Sequence, residues 1–227
     1  KTLHHIMTVV LALTILCLLL PVYVYVGYPA LLWILTLGKP TVTHTRKEAF
    51  PSVTLVISCY NEVEVIREKL RNSLELDYPK ELLKIIVVSD GSNDGTDELV
   101  GQFSGDGVIL IRQEGRLGKT MGLNLAMAEV ESEITVFSDA NAIYAPDAIA
   151  KLVRNFADSE VGYVVGAALY TDSDKGASAQ NENLYWRYEL AIKAMESKLH
   201  SVVGGDGAIY AIRSELWEPL SQQDIND

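Results

Sequence analysis

The sequence predicts an α/β fold, a mostly parallel sheet with helices on both faces, set behind an N-terminal membrane-spanning helix. Three observations predict it. Residues 6–37 contain no charged side chain. From residue 51 onward short β-branched runs alternate with helical patterns. Three of those runs end in turns rich in carboxylate and amide groups: Cys59-Tyr60-Asn61-Glu62, Asp90-Gly91-Ser92-Asn93-Asp94-Gly95 and Asp139-Ala140-Asn141.

The apolar run comes first. A run longer than about 18 residues can cross the hydrocarbon core as a helix. Lys1, His4 and His5 ahead of it resemble the start of a signal peptide, but the run continues through Pro21 to Leu37 with no small-residue cleavage site. Tyr23, Tyr25, Tyr28 and Trp33 suit a membrane interface. The expectation is one tilted or kinked span, bent at Pro21 or at Gly27-Tyr28-Pro29, with a hairpin of two shorter spans as the alternative. Lys39, His44, Arg46 and Lys47 put the soluble domain on the cytoplasmic side of the cell membrane by the positive-inside tendency. The chain thus divides into an anchor with its linker, residues 1–45, and that soluble domain, residues 46–227.

In the soluble domain the runs at 53–58, 85–89, 108–111, 134–138 and 161–168 have the character of strands, with helices near 64–74, 96–102, 119–129 and 146–156. That is the β-α-β-α rhythm of a parallel sheet covered on both faces. After Gly176 a long helix at roughly 179–199 carries Trp186, Arg187 and Glu189. A glycine-rich turn at 203–207 then leads into a short strand at 208–212.

Charge narrows the partners. Without Lys1 and Lys39, the remainder carries 17 basic and 30 acidic side chains, a net of −13. Nucleic acid needs a basic footprint, so it is excluded. A nucleotide must be held by local groups and a metal against this field. The two cysteines, Cys17 and Cys59, are not placed to pair, the pattern of a reducing compartment.

Ligands of such sheets bind beyond the carboxyl ends of the strands. Asp90 ends the second strand and comes too early to cap the helix after it, whereas Asp94 and Thr96 are better read as cap residues. A carboxylate at Asp90 can accept a hydrogen bond from a nucleobase N–H. Asp139 and Asn141, two positions apart on an extended segment, would face one side and offer oxygens to a hard cation that bridges two phosphates. An ordinary Asx turn is the alternative. Gly118-Lys119-Thr120 invites a Walker loop, but that motif needs glycine where the sequence has Gln113. Arg116 and Lys119 still supply cations near a helix start, where phosphate is favoured. Asn124, one turn on, suits a ligand contact and a polar helix face equally. No nucleophile-elbow pattern surrounds Ser58, Ser89 or Ser138.

Taken together, these motifs resemble the inverting family 2 glycosyltransferases of GT-A fold. The similarity is to their membrane-bound polysaccharide synthases of hyaluronan, chitin, cellulose and poly-N-acetylglucosamine type. The resemblance runs from Pro51 to Asp227, through Val56–Glu62, Val87–Thr96, Arg116–Asn124 and Phe137–Asn141. It implies that Tyr60, Asn61 and Glu62 border the nucleoside, that Asp90 binds the base, usually uracil, and that Lys119 and Asn124 contact the nucleotide-sugar. It implies Mg²⁺ or Mn²⁺ on Asp139 at the diphosphate, with Asn141 standing where the family has a second aspartate. Gly205, Asp206 and Gly207 would line the acceptor side. Asp227, in Asp224-Ile225-Asn226-Asp227, takes the place of the family's catalytic base. The family's Gln-x-x-Arg-Trp motif and later membrane helices do not come after it, so the expectation is an N-terminal fragment or truncation of a longer synthase.

The implied activity is metal-dependent, inverting transfer of a sugar from a UDP-sugar to a growing polysaccharide or lipid-linked acceptor. One alternative is a non-processive transferase that adds a single sugar to a lipid phosphate. Another is a nucleotide-sugar-binding module without turnover.

Overall fold

The computed structural model describes residues 2–39, 50–167, 177–205 and 207–224. By contact the chain forms two compact units, Lys1–Val42 with Tyr170–Gly204, and Thr43–Leu169 with Gly205–Asp227. The division expected at residue 45 therefore differs from the one the contacts make, because a late helix packs with the apolar N-terminal one.

The second unit holds the sheet. Its strands are β1 (Val53–Cys59), β2 (Leu83–Ser89), β3 (Val108–Arg112), β4 (Ile134–Asp139), β5 (Tyr163–Val165) and β6 (Ile209–Arg213), in the order β3-β2-β1-β4-β6-β5. β1 to β4 are parallel, while β6 runs antiparallel to both β4 and β5. β1, β2 and β4 are near-continuous apolar runs because both faces of a parallel sheet are covered. Leu55 and Ile57 belong to the core on one face with Ile66, Val100 and Ile149; Val56 belongs to the other with Leu123 and Phe137. Accordingly α3 (Ile66–Leu74), α4 (Thr96–Gly101) and α6 (Ala148–Val153) cover one face and α5 (Lys119–Met127) the other. Phe137, Tyr210 and Trp217 stack on the α5 side, with ring centroids 4.8 and 5.4 Å from Phe137. The fifth strand covers three residues of the eight expected at 161–168. Gly166 lies so close to Ile209 that a Cβ there would meet its side chain at 2.3 Å, and regular pairing stops one residue earlier.

The first unit is built on α1 (Thr2–Val22), a π-helical turn (Tyr23–Gly27) and α2 (Tyr28–Thr36), which run on as one helix. Residues 5–36 of it are long and apolar enough to cross a bilayer. The π turn lies between Pro21 and Pro29, where a bend is expected, and the helix continues through it without forming a hairpin. Pro29 has no N–H for the carbonyl of Tyr25; that oxygen instead accepts from the Tyr188 hydroxyl at 2.9 Å. Tyr188 lies on α7 (Ala177–Leu199), as does the buried Glu196. The Glu196 carboxylate accepts from the Tyr28 hydroxyl at 2.6 Å and from the Val203 N–H at 3.0 Å.

Candidate active site

Tyr60, Asp90 and Asp139 stand at the carboxyl ends of β1, β2 and β4, which are parallel neighbours. β1 has β2 on one side and β4 on the other, the reversal of strand order that opens a ligand crevice.

The loops that leave these strands are locked by side chains. Asn61, at φ 54°, is the one described non-glycine residue with positive φ, and its side-chain oxygen accepts from the Asn93 N–H at 2.9 Å. The N–H groups of Asn61, Glu62 and Val63 donate to Ser92 Oγ, Thr96 Oγ1 and Asp94 Oδ2 at 3.1, 2.9 and 3.1 Å. Asp94 also accepts the Thr96 N–H at 3.0 Å, so it serves the helix start as expected and ties down the neighbouring loop as well. The Thr96 hydroxyl, first among its donors, holds the Asp94 carboxyl below its ordinary range. Asn61 thus acts through the backbone of the second turn, and Glu62 hangs beside the crevice. Burial, then the charges of Asp139 and Asp94, push the Glu62 carboxyl up.

Asp90 is buried and heavily used. Its Oδ1 accepts from Leu117 N at 2.9 Å, from Gly118 N at 3.2 Å and from Gln113 Nε2; its Oδ2 accepts, among the described residues, only from Gly118 N, at 3.1 Å. Oδ2 is therefore the oxygen with capacity left for a base N–H. The loop comes this close because Gly91, at φ 70°, has no side chain; a Cβ there would meet the Gly115 carbonyl oxygen at 2.8 Å. Above Tyr60, the Arg116 guanidinium lies 4.0 Å from the ring centroid. Gln113, which in the sequence only excludes the Walker loop, is almost fully buried and fixes Asp90. Its Oε1 has no hydrogen-bond partner among the described residues.

At the other side of the crevice Lys119, the first residue of α5, pairs with Asp139 at 2.8 Å, both side chains partly exposed. Asn141 corrects an expectation. β4 ends at Asp139, and Ala142 N donates to Asp139 O at 3.3 Å, so Asn141 sits in a turn and not on an extended segment. It is exposed there. No cluster of three His, Cys, Asp or Glu ligands exists among the described residues. A hard cation that keeps waters and takes its other oxygens from a substrate diphosphate needs only one or two protein oxygens. Asp139, with Asn141 beside it in the turn, fits that requirement.

Behind the turn is a residue the sequence reasoning missed. Lys69 on α3 is fully buried; its ammonium donates to the Ala142 carbonyl and lies 3.5 Å from the centroid of the Tyr144 ring. One turn on, Asn72 closes two bonds with the Tyr144 backbone, at 2.9 and 2.8 Å, and the Tyr144 hydroxyl donates to Ala208 O at 3.1 Å. Burial lowers the Lys69 ammonium to about 7, against a smaller opposing effect of Asp139. The signal was present: Lys69 shares the buried face of α3 with Ile66, Leu70 and Ser73, where a lysine needs a partner.

Asn124 does not face a free crevice. Its Nδ2 donates to Leu220 O at 2.8 Å and its Oδ1 accepts from Leu220 N at 2.9 Å. Of the residues expected to line an acceptor, Gly205 packs against Tyr163, where a Cβ would overlap the hydroxyl, and Gly207 lies in the turn before β6. Asp206 and Asp227 lie outside the described residues.

Comparison with known proteins agrees with this geometry. The glycosyl transferase family 2 model matches residues 54–217. Poly-beta-1,6-N-acetyl-D-glucosamine synthase of Staphylococcus aureus (strain COL) is 35% identical over 131 residues, 56% of this chain and 30% of that protein. The probable glycosyltransferase YdaM of Bacillus subtilis (strain 168) is 35% identical over 122 residues, 51% of this chain and 29% of that protein. These matches thus span less than a third of each relative's length. Among solved structures, mannosyltransferase PcManGT from Pyrobaculum calidifontis, in complex with GDP-Man and Mn²⁺, superposes with a TM-score of 0.72 at 30% identity. The superposition covers 86% of this chain and 55% of that one. The sheet is of the GT-A type, and the chain belongs to glycosyl transferase family 2.

Proposed function

We propose that this chain carries the donor-binding and transfer site of a membrane-bound polysaccharide synthase. It would move a sugar from a UDP-sugar to a growing polysaccharide or lipid-linked acceptor, with inversion, at the cytoplasmic face of the cell membrane. The observation that supports this most is one short stretch, residues 113–119, that joins the two ends of the crevice. It cradles the Asp90 carboxylate with the Leu117 and Gly118 N–H groups and sends Lys119 to Asp139.

In this mechanism Asp90 Oδ2 accepts the base N–H and Tyr60 borders the nucleoside. Asp139 and Asn141 would hold Mg²⁺ or Mn²⁺, which when bound neutralises charge on the diphosphate. Lys119, freed from Asp139, adds a positive charge where the leaving nucleoside diphosphate gains a negative one. An acceptor hydroxyl attacks the anomeric carbon from the face opposite the diphosphate while Asp227 takes its proton, so one displacement inverts the centre. Gly205, Asp206 and Gly207 would border the acceptor.

The test is release of nucleoside diphosphate from a panel of nucleotide-sugars with Mn²⁺, using the full chain in detergent. Asp139→Ala should lower turnover by roughly 100-fold or more. Near-normal turnover would refute the assignment of Asp139. A second function, transfer of a single sugar from a guanosine donor, is favoured by the likeness to the mannosyltransferase solved with GDP-Man. Product sizing, one sugar or many, and the donor panel separate the two.

A further inference from the structure

Helix α5 and the turn before it reach both carboxylates of the crevice. The turn before it binds Asp90, Lys119 pairs with Asp139, and its first two turns also grip the chain that comes after β6. That grip is specific. Asn124 meets both the N–H and the C=O of Leu220, at 2.9 and 2.8 Å, which a side-chain amide does only when backbone and amide lie edge to edge. Thr120, one turn earlier on the same face, donates to Asp224 O at 2.9 Å. Ser221 N closes the intervening turn on the Asp224 carboxylate at 2.6 Å. Trp217, at the start of the segment, is seated against Phe137 of β4. The residues between these anchors have no regular secondary structure, so their register against the domain comes from α5.

We infer that Asn124 and Thr120 are positioning residues for the acceptor half of the reaction and not ligands of the donor. They fix residues 217–224 to the helix that also carries Lys119. The sequence reaches Asp227 three residues after Asp224. Resting on the proposed transfer function, the inference makes α5 the ruler between the leaving diphosphate and the group that takes the acceptor proton. The amide spends its oxygen and one N–H on Leu220, and the same nitrogen lies 4.0 Å from Met121 Sδ, so turning the amide towards a phosphate or a ribose would release that segment.

The experiment compares wild type, Asn124→Ala, Asn124→Asp and Thr120→Val in the full chain. It reads calorimetric affinity for UDP and for GDP, kcat and donor KM, and hydrogen exchange of residues 217–224. Asn124→Ala should leave nucleotide affinity and donor KM within about twofold and lower kcat by roughly 10- to 100-fold, the scale of a misplaced reacting group. The Leu220 amide should exchange faster. Asn124→Asp keeps the acceptor for Leu220 N but turns a second oxygen on Leu220 O, so it should fall no less than the alanine variant. Thr120→Val, which loses one bond, should show the same pattern more weakly. Nucleotide affinity that drops tenfold with kcat retained would make Asn124 a donor ligand and overturn the inference. Unchanged exchange at 217–224 in Asn124→Ala would overturn it as well. If wild type binds neither nucleotide, the donor assignment fails, while the exchange arm still decides whether Asn124 holds the segment.

Discussion

Burial of the Lys69 ammonium should make the domain more stable at pH 9 than at pH 7, and replacing Lys69 by methionine should remove most of that rise. The folded protein holds this ammonium against one carbonyl and the Tyr144 ring, and its full burial lowers it from 10.5 to about 7. Above pH 7 the folded chain therefore sheds a proton that the unfolded chain keeps until about pH 10.5. Where the unfolded state binds more protons, stability increases with pH. One proton is worth about 1.4 kcal/mol per pH unit. Since Lys69 is half ionised at pH 7, the gain between pH 7 and 9 comes to about 2 kcal/mol. The window closes at pH 9 because the Cys59 thiol is pushed up from 9.0 to about 12 by burial, and the Tyr78 and Tyr144 phenols also rise by burial. Those groups ionise first in the unfolded chain and drain stability at higher pH, with the opposite sign. The assay is urea unfolding of the detergent-solubilised chain at half-unit pH steps without metal, followed by Trp217 emission in a Trp33→Phe, Trp186→Phe background. A slope in Lys69→Met equal to that of wild type would refute the account of Lys69 as a neutralised buried base.

Two further predictions concern the base side of the crevice. Asp90→Asn replaces the remaining acceptor oxygen by a donor or leaves it uncharged, so calorimetric UDP affinity should fall about 10- to 100-fold with kcat little changed; affinity within twofold of wild type would remove Asp90 from the base site. Gly91→Ala forces a side chain into a left-handed backbone and onto the Gly115 carbonyl, 2.8 Å away. Thermal unfolding should shift down by roughly 5 °C, from a cost of about 2 kcal/mol. Gly105→Ala, where a Cβ meets nothing, is the control, and equal behaviour of the two would sink the packing argument.

The strand ends were legible because a parallel sheet puts its ligands at one edge, and β1, β2 and β4 could be placed from their β-branched runs. Asp90 and Asp139 came from that alone. Their partners did not, since Asp90 is bound by residues 113–118 and hydropathy says nothing about how a loop is folded. The extended geometry expected for Asp139 and Asn141 fails by one residue, where β4 ends and a turn closes. Lys69 is readable as a cation on an apolar helix face, yet its target, the Ala142 carbonyl, is 73 residues away. Asn124 suits ligand and helix surface equally in the sequence. Only the contact with Leu220, 96 residues on, shows what it holds.

The order of strands also bears on how the domain is assembled during synthesis. β1 to β4 occupy residues 53–139 and form a continuous parallel block from their own contacts. β5 is made next, at Tyr163–Val165, but its sheet neighbour among the described residues is β6, which ends at Arg213. Until about 50 more residues have emerged, β5 has an unpaired backbone on both sides and the outer edge of β4 is bare. Pairings across such a separation form late, and an open edge of a buried strand is where a growing chain sticks to another. Among the described strands β6 is thus the last to enter the sheet, between two strands made before it.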